Sequence, residues 1–330
     1  MPKTLFFLAP VLAVLPVAEA AAEPGLPPQL VIVSFDGAHD NALWEKSLAM
    51  AERTGARFTY FLSCTFLMTR DGAGAAYRAP GHKAGRSNVG FAPDNADIRV
   101  RLGHIWQAHR AGHDIGSHGC GHFDGKDWSR ADWRNEFSAF RTALAEGWRA
   151  SGDAGEEPEG WARFAETEIK GFRAPYLSAG PGLVPALKDF GFTYDASLVS
   201  KGPVPPVGAA GITRFALPLI PEGPTGRPVI AMDYNLFVRH SMGVENRKDS
   251  DTFEARTLDA FRAAYRAQHD GGRIPLQLGF HFVEMNGGAY WRALDRFLTE
   301  VCRAPETACV SYREAMDRLA DVARPTGSTF

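Results

Sequence analysis

Residues 30–35 read Leu-Val-Ile-Val-Ser-Phe, an apolar run of strand length that stops at Asp36-Gly37. A strand with so little polar alternation has to be covered on both faces, which is the situation of a parallel sheet clad by helices. Residues 41–54 follow with helical spacing and Gly55 at the stop position, and 57–63 return to strand-like types, giving a βαβ start. The alternation continues. Helices are predicted over 98–111, 127–150, 183–190, 252–269, 290–302 and 312–319. Strands are predicted over 113–117, 169–172, 192–195, 213–220, 228–234 and 274–282, with a last one near Val310. Residues 68–97 read as a long surface loop and 203–211 as a Pro/Gly loop. The pattern predicts a parallel α/β architecture without an internal linker, hence one domain. Barrel and doubly wound sheets read alike at this level.

The chain has 330 residues, of which 45% are hydrophobic and 22% charged, with 36 Lys+Arg against 38 Asp+Glu. No basic face is available for phosphate contacts, so nucleic acid is not an expected partner. Lys3, the apolar run 5–17 and Ala18-Glu19-Ala20 have the order of a secretory signal peptide with its cleavage site. Residues 1–20 are therefore expected to be removed, and residues 21–330 to work in the periplasm or outside the cell. No later stretch approaches the ~18 apolar residues that a membrane span needs. Export makes the four cysteines disulfide candidates, with Cys302 close to Cys309 and Cys64 left to pair with Cys120.

Polar residues fall at strand ends. Asp36 follows the first strand, and His118 and His122 follow another in Ser-His-Gly-Cys-Gly-His. Arg173 follows a third in Phe-Arg-Ala-Pro-Tyr, and His281 lies near the end of a late strand in Leu-Gly-Phe-His. In parallel α/β folds the carboxyl ends of strands gather on one face, and that face carries the active site. An acid, three histidines and an arginine meeting there make a metal-hydrolase inventory. Two imidazoles four residues apart suit zinc or a similar ion.

The ordered set Ser34-Phe35-Asp36, His118-x-x-x-His122, Arg173-Ala174-Pro175-Tyr176 and Leu278-x-x-His281 resembles the polysaccharide deacetylase (NodB homology) domain of carbohydrate esterase family 4. The run 191–197 and the stretch 273–312 are similar to its chitin-deacetylase-like branch. The resemblance implies a distorted (β/α)7 barrel, a divalent metal, usually zinc, and hydrolysis of N-acetyl or O-acetyl groups on a polysaccharide. It places the general base on Asp36, the metal ligands on His118 and His122, and the base-orienting arginine on Arg173. It places the oxyanion donor on the Tyr176 backbone N–H, the general acid on His281, and a contact to the acetyl methyl on Leu278. An acidic residue that tunes the acid is expected nearby, and Asp233 and Asp195 both qualify. Trp128, Tyr176, Tyr234 and Tyr290 are candidate sugar-stacking rings.

One departure stands out. The family carries a second aspartate after the first, as third metal ligand, where this chain has Gly37. Asp36 itself, His39 or Asp40 are the remaining candidates for that ligand. The alternative to an enzyme is an impaired relative that binds polysaccharide without cleaving it.

Overall fold

The computed structural model describes residues 26–323; the signal-peptide reading of residues 1–20 lies outside the described residues. Ten strands occur among the described residues. They are β1 (Gln29–Gly37), β2 (Thr59–Leu62), β3 (Asp114–Ser117), β4 (Gly171–Phe172), β5 (Tyr194–Ser200), β6 (Val207–Ala209), β7 (Ile212–Glu222), β8 (Arg227–Ile230), β9 (Leu276–His281) and β10 (Thr307–Val310). The longer helices are α1 (Asn41–Thr54), α2 (Asn95–Arg110), α3 (Arg130–Ala145), α4 (Leu183–Asp189), α5 (Asp233–Ser241), α6 (Ser250–His269), α7 (Ala289–Val301) and α8 (Tyr312–Ala323).

Strands β1, β2, β3, β4, β5 and β7 pair in that order, all parallel, and β9 pairs with the other edge of β1. The remaining gap, between β7 and β9, is spanned by one residue of chain. Ala231 donates its N–H to Pro218 at 2.9 Å, and its carbonyl accepts from Gly279 N–H at 2.8 Å. Seven parallel strands thus curl into a distorted (β/α)7 barrel, as the resemblance implied. Strand β10 pairs with the first half of β1 and β2 with the second half. Strands β6 and β8 are antiparallel additions to β7.

β1 is buried along nearly its whole length, which explains its unbroken apolar run. Phe35 is packed among Phe58, Tyr60, Phe280, Phe282 and Trp291. Helix boundaries follow local chemistry. Asp40 caps α1 by accepting from Leu43 N–H at 2.9 Å, and Gly55 ends it at φ 76°. Ser129 and Asp132 form a reciprocal capping box at the start of α3.

Several sequence expectations need correction. The helix expected over 127–150 stops at Ala145 and restarts as the single turn Gly147–Ala150. Gly147 passes so close to α2 that a Cβ there would lie 2.9 Å from Leu102 Cδ2. The strand expected over 228–234 ends at Ile230, and Asp233 instead opens α5. Residues 68–97 are not a plain surface loop. A bridge between Thr69 and Ala92 closes the segment on itself, and Met68, Tyr77, Ala79 and Ala92 are buried. The Pro/Gly stretch 203–211 contains β6.

Both cysteine pairs are disulfides, Cys64–Cys120 and Cys302–Cys309, with Cα separations of 4.2 and 5.4 Å. The first joins the end of β2 to the loop carrying His118 and His122. Replacing Cys64 and Cys120 by serine is expected to cost about 2–5 kcal/mol. An unchanged denaturation midpoint in urea would refute this.

Candidate active site

The carboxyl ends of β1, β3, β4 and β9 meet at one mouth of the barrel. Asp36 is in register with His281 on the neighbouring strand. Together with His118, His122 and Tyr176 these two residues line a cavity of about 540 Å³.

Asp36 is tied to Arg173. The guanidinium is fully buried and donates from Nη1 to Asp36 Oδ1 at 2.9 Å and to Ser34 Oγ at 2.7 Å. Its Nη2 donates to the Tyr312 hydroxyl at 2.8 Å and its Nε to Ala196 O at 3.0 Å. The Phe61 ring lies 4.6 Å away, beneath the cation. Burial pushes the Asp36 carboxyl up, but Arg173 above all, together with His281, outweighs it and holds it below its usual value. Asp36 is thus kept as an anion.

His281 has the opposite arrangement. Its Nδ1 lies 2.7 Å from Asp233 Oδ1, and its backbone N–H donates to Asp233 Oδ2 at 2.8 Å. Burial lowers the imidazole pKa, yet the Asp233 charge and hydrogen bond outweigh it and raise it. With Nδ1 held by Asp233, Nε2 is the nitrogen left for the cavity. Asp195, the other candidate partner, bonds Ser197 and Arg214 instead.

The two histidines of the β3 loop have rings 5.1 Å apart. His118 donates from Nδ1 to Arg173 O at 2.8 Å, which leaves Nε2 free to bind. Burial pushes its pKa down to about 3, and His122 is also lowered by burial and by His281. Both stay neutral, the form that ligates metal. The loop is braced from behind. Glu136, buried on α3, accepts from Cys120 N–H at 2.7 Å and from the Tyr77 hydroxyl, whose oxygen accepts from Gly121 N–H at 2.9 Å. Sequence reasoning passed over this brace. Its signal was a charged residue on the apolar face that Trp133, Phe137 and Phe140 define.

The resemblance implied a metal, and the donors present do not fit one. Among the described residues no group of three His, Cys, Asp or Glu is placed to hold an ion, whereas zinc sites use at least three protein ligands. Asp40 is occupied as the α1 cap, and the His39 ring is stacked on Phe66 at 4.8 Å. Gly37 has φ 87°, a conformation in which a side chain is strained.

Tyr176 sits at the rim, 58% exposed, with its ring 4.6 Å from that of His122 and its backbone at φ 59°. Tyr234, 52% exposed, stands on the other side of the cavity. Tyr290 is buried and Trp128 packs on Trp133, so neither ring faces the cleft. Leu278 does not line the cavity either. Side chains three apart on a strand point to opposite faces, so Leu278 enters the core while His281 faces the mouth. Ile230, Met232 and Leu177 form the aliphatic wall instead. Asn88 and Val89, from the 68–97 segment, complete the rim without having been foreseen.

Solved structures share this arrangement of strands and helices. A protein described as a polysaccharide deacetylase from Mycobacterium smegmatis superposes with a TM-score of 0.54 at 18% identity, over 94% of this chain and 96% of its own. Another so described, from Pseudomonas aeruginosa PAO1, gives 0.53 at 15% identity, over 93% and 97%. The fold is that of polysaccharide deacetylases. No protein-family model and no curated protein matches the chain. Within this fold Asp36, His118, His122 and His281 line the open mouth of the barrel, and Arg173 lies buried beneath it, bonded to Asp36.

Proposed function

We propose that this protein is an exported hydrolase that removes acetyl groups from an acetylated glycan, with residues 1–20 as its export signal and one catalytic domain after them. The observation that carries the reading is the pairing at the cavity. A buried carboxylate and an imidazole stand on adjacent strands in register, each held in its ionised form by a partner of opposite charge. That is the state a general base and a general acid require together at neutral pH. The two disulfides suit an oxidising compartment.

In this reading Asp36 takes a proton from the attacking water while Arg173 fixes the carboxylate. The Tyr176 backbone N–H, on its left-handed turn, donates to the oxygen that gains charge. His281 protonates the departing sugar nitrogen or oxygen, and Asp233 keeps the proton on the ring until then. Tyr176 and Tyr234 flank the cavity as stacking surfaces for a pyranose. No step is assigned to a metal, because the donors do not complete a site.

A second reading, a glycan-binding relative without activity, is favoured by one feature: Gly37 offers no ligand beside two histidines. Acetate release from chitin oligomers, peptidoglycan and acetylated xylan separates the two. Release above that of an Asp36→Asn control supports the hydrolase. Binding of a glycan without release supports the second reading.

The pH dependence carries a signed prediction. His281 acts protonated, so the rate falls as pH rises through its raised pKa. In Asp233→Asn burial is opposed only by the weaker pull of Asp36, the pKa drops, and the alkaline limb of kcat/KM is expected to move to lower pH. A limb that stays in place would exclude His281 as the acid.

A further inference from the structure

Between Asp71 and Asp94 the chain carries no Asp or Glu, while Arg78, Lys83 and Arg86 fall close together. The backbone folds this stretch into a small loop. Gly85 N–H donates to Tyr77 O at 2.9 Å, and His82 N–H donates to Ala79 O at 3.0 Å. Arg78 and Arg86 thus stand at the two feet of the loop and Lys83 at its tip, all three exposed. None of the three has a carboxylate partner among the described residues, whereas Arg99, Arg101, Arg130 and Arg134 each pair with an aspartate.

The loop is fixed beside the mouth of the barrel. His82 stacks on Phe123, the residue after His122, with ring centroids 3.9 Å apart. Just past the loop, Asn88 donates from its backbone N–H to Gly121 O at 2.8 Å and from Nδ2 to His122 O at 3.0 Å. Asn88 and Val89 then form part of the wall of the large cavity. The acid nearest in chain to Phe123, Asp124, accepts from Lys126 N–H at 2.9 Å. In a chain of net charge −2, the positive charge of this loop is local and borders the cavity.

Exposed cations without partners add nothing to the fold, and like charges repel, so packing gives no reason to gather them. Their use is toward an anion brought from outside, since complementary charge at a rim steers and selects a partner. A neutral glycan leaves all three idle. A glycan with acid groups can hold one unit in the cavity and set the charges of its next units against the loop. We propose that residues 77–86 are a docking rim for an anionic polysaccharide, so that the substrate carries carboxylate or phosphate groups beside its acetylated units. The proposal rests on the glycan-substrate reading and adds the charge class of that glycan.

Affinity electrophoresis of the full protein in gels containing hyaluronan, polygalacturonate, wall teichoic acid or the neutral glycol chitin tests it. Stronger retardation is expected in acidic gels than in glycol chitin, with the difference shrinking as salt is raised, because exposed charges are screened. In Arg78→Ser/Lys83→Ser/Arg86→Ser the affinity for the acidic polymers should drop about tenfold, the combined effect of three exposed charge pairs. The loop's anchors, Tyr77 on Glu136 and Asn88 on the His122 carbonyl, are untouched by that change, and matching thermal midpoints check that the fold is intact. Arg78→Lys/Arg86→Lys should keep most of the affinity. Retention by the uronate polymers assigns the anion to a carboxylate, and retention by teichoic acid alone assigns it to a phosphate. Equal retardation by acidic and neutral polymers overturns the proposal, as does an acidic-polymer affinity that the triple serine variant keeps. So does sedimentation with phosphatidylglycerol vesicles that is stronger than binding to any of the glycans. Binding and hydrolysis are read separately. Acidic-polymer preference without acetate release removes the hydrolase reading and leaves the rim, whereas acetate release from neutral glycans without that preference does the reverse.

Discussion

Replacement of His281 by alanine, or of Asp36 by asparagine, is expected to lower acetate release by about 10²–10⁴-fold, the usual contribution of a positioned acid or base. The loss should appear in kcat, with KM little changed, because both groups act on protons that move only during the reaction. The fold should tolerate both changes. His281 stands at the mouth of the barrel, and asparagine at 36 still offers Arg173 an accepting oxygen. The double variant should be only slightly worse than either single one, since a base without its acid has little left to assist. A His281→Ala enzyme within a few-fold of the parent would remove the central element of the proposed function.

The second large effect concerns stability. Arg173→Met removes the only cation bonded to Asp36 among the described residues and strands a buried carboxylate. Breaking such a pair from one side costs about 3–5 kcal/mol. The pH dependence has a definite sign. In the parent the folded pKa of Asp36 is depressed, so its stabilising contribution is present above the unfolded value and is lost as pH falls through the folded one. In the variant burial dominates and the folded pKa rises, so protonation in mild acid relieves the penalty. The difference between parent and variant should therefore be largest near neutrality and shrink toward pH ~4, the unperturbed carboxylate value. Arg173→Lys keeps the charge without the planar fork that reaches Ser34, Asp36 and Tyr312 together, and should lose less stability than Arg173→Met. Urea midpoints at neutral and acid pH test both statements, and a pH-independent difference would contradict the assigned role of the pair.

How much of this could be read from the chain depends on the range of the interaction that decides it. The unbroken apolar run of β1 determined by itself that the strand is covered on both faces, because burial of six consecutive residues of that kind has no other outcome in water. The placement of Asp36, His118, Arg173 and His281 just after or at the ends of strands determined that they share one rim, since parallel strands align their carboxyl ends. The helix caps at Asp40 and Gly55 are likewise local chemistry.

Other features were settled only by tertiary contacts. Asp195 and Asp233 have the same side chain near strand ends, and only the closure of β9 against residue 231 brings Asp233 under His281. Leu278 was matched by its spacing from His281, but strand alternation turns it into the core. The strand expected over 228–234 stops at Ile230, and Asp233 and Tyr234 open α5 instead. The 68–97 segment looked like an exposed loop because its anchors are single residues, Tyr77 on Glu136 and Asn88 on the His122 carbonyl, each distant in sequence from what it binds. Strand-length apolar runs and caps are short-range patterns that the sequence carries whole. The partner of a buried charge, and the shape left where glycine replaces a side chain, exist only after distant segments have packed.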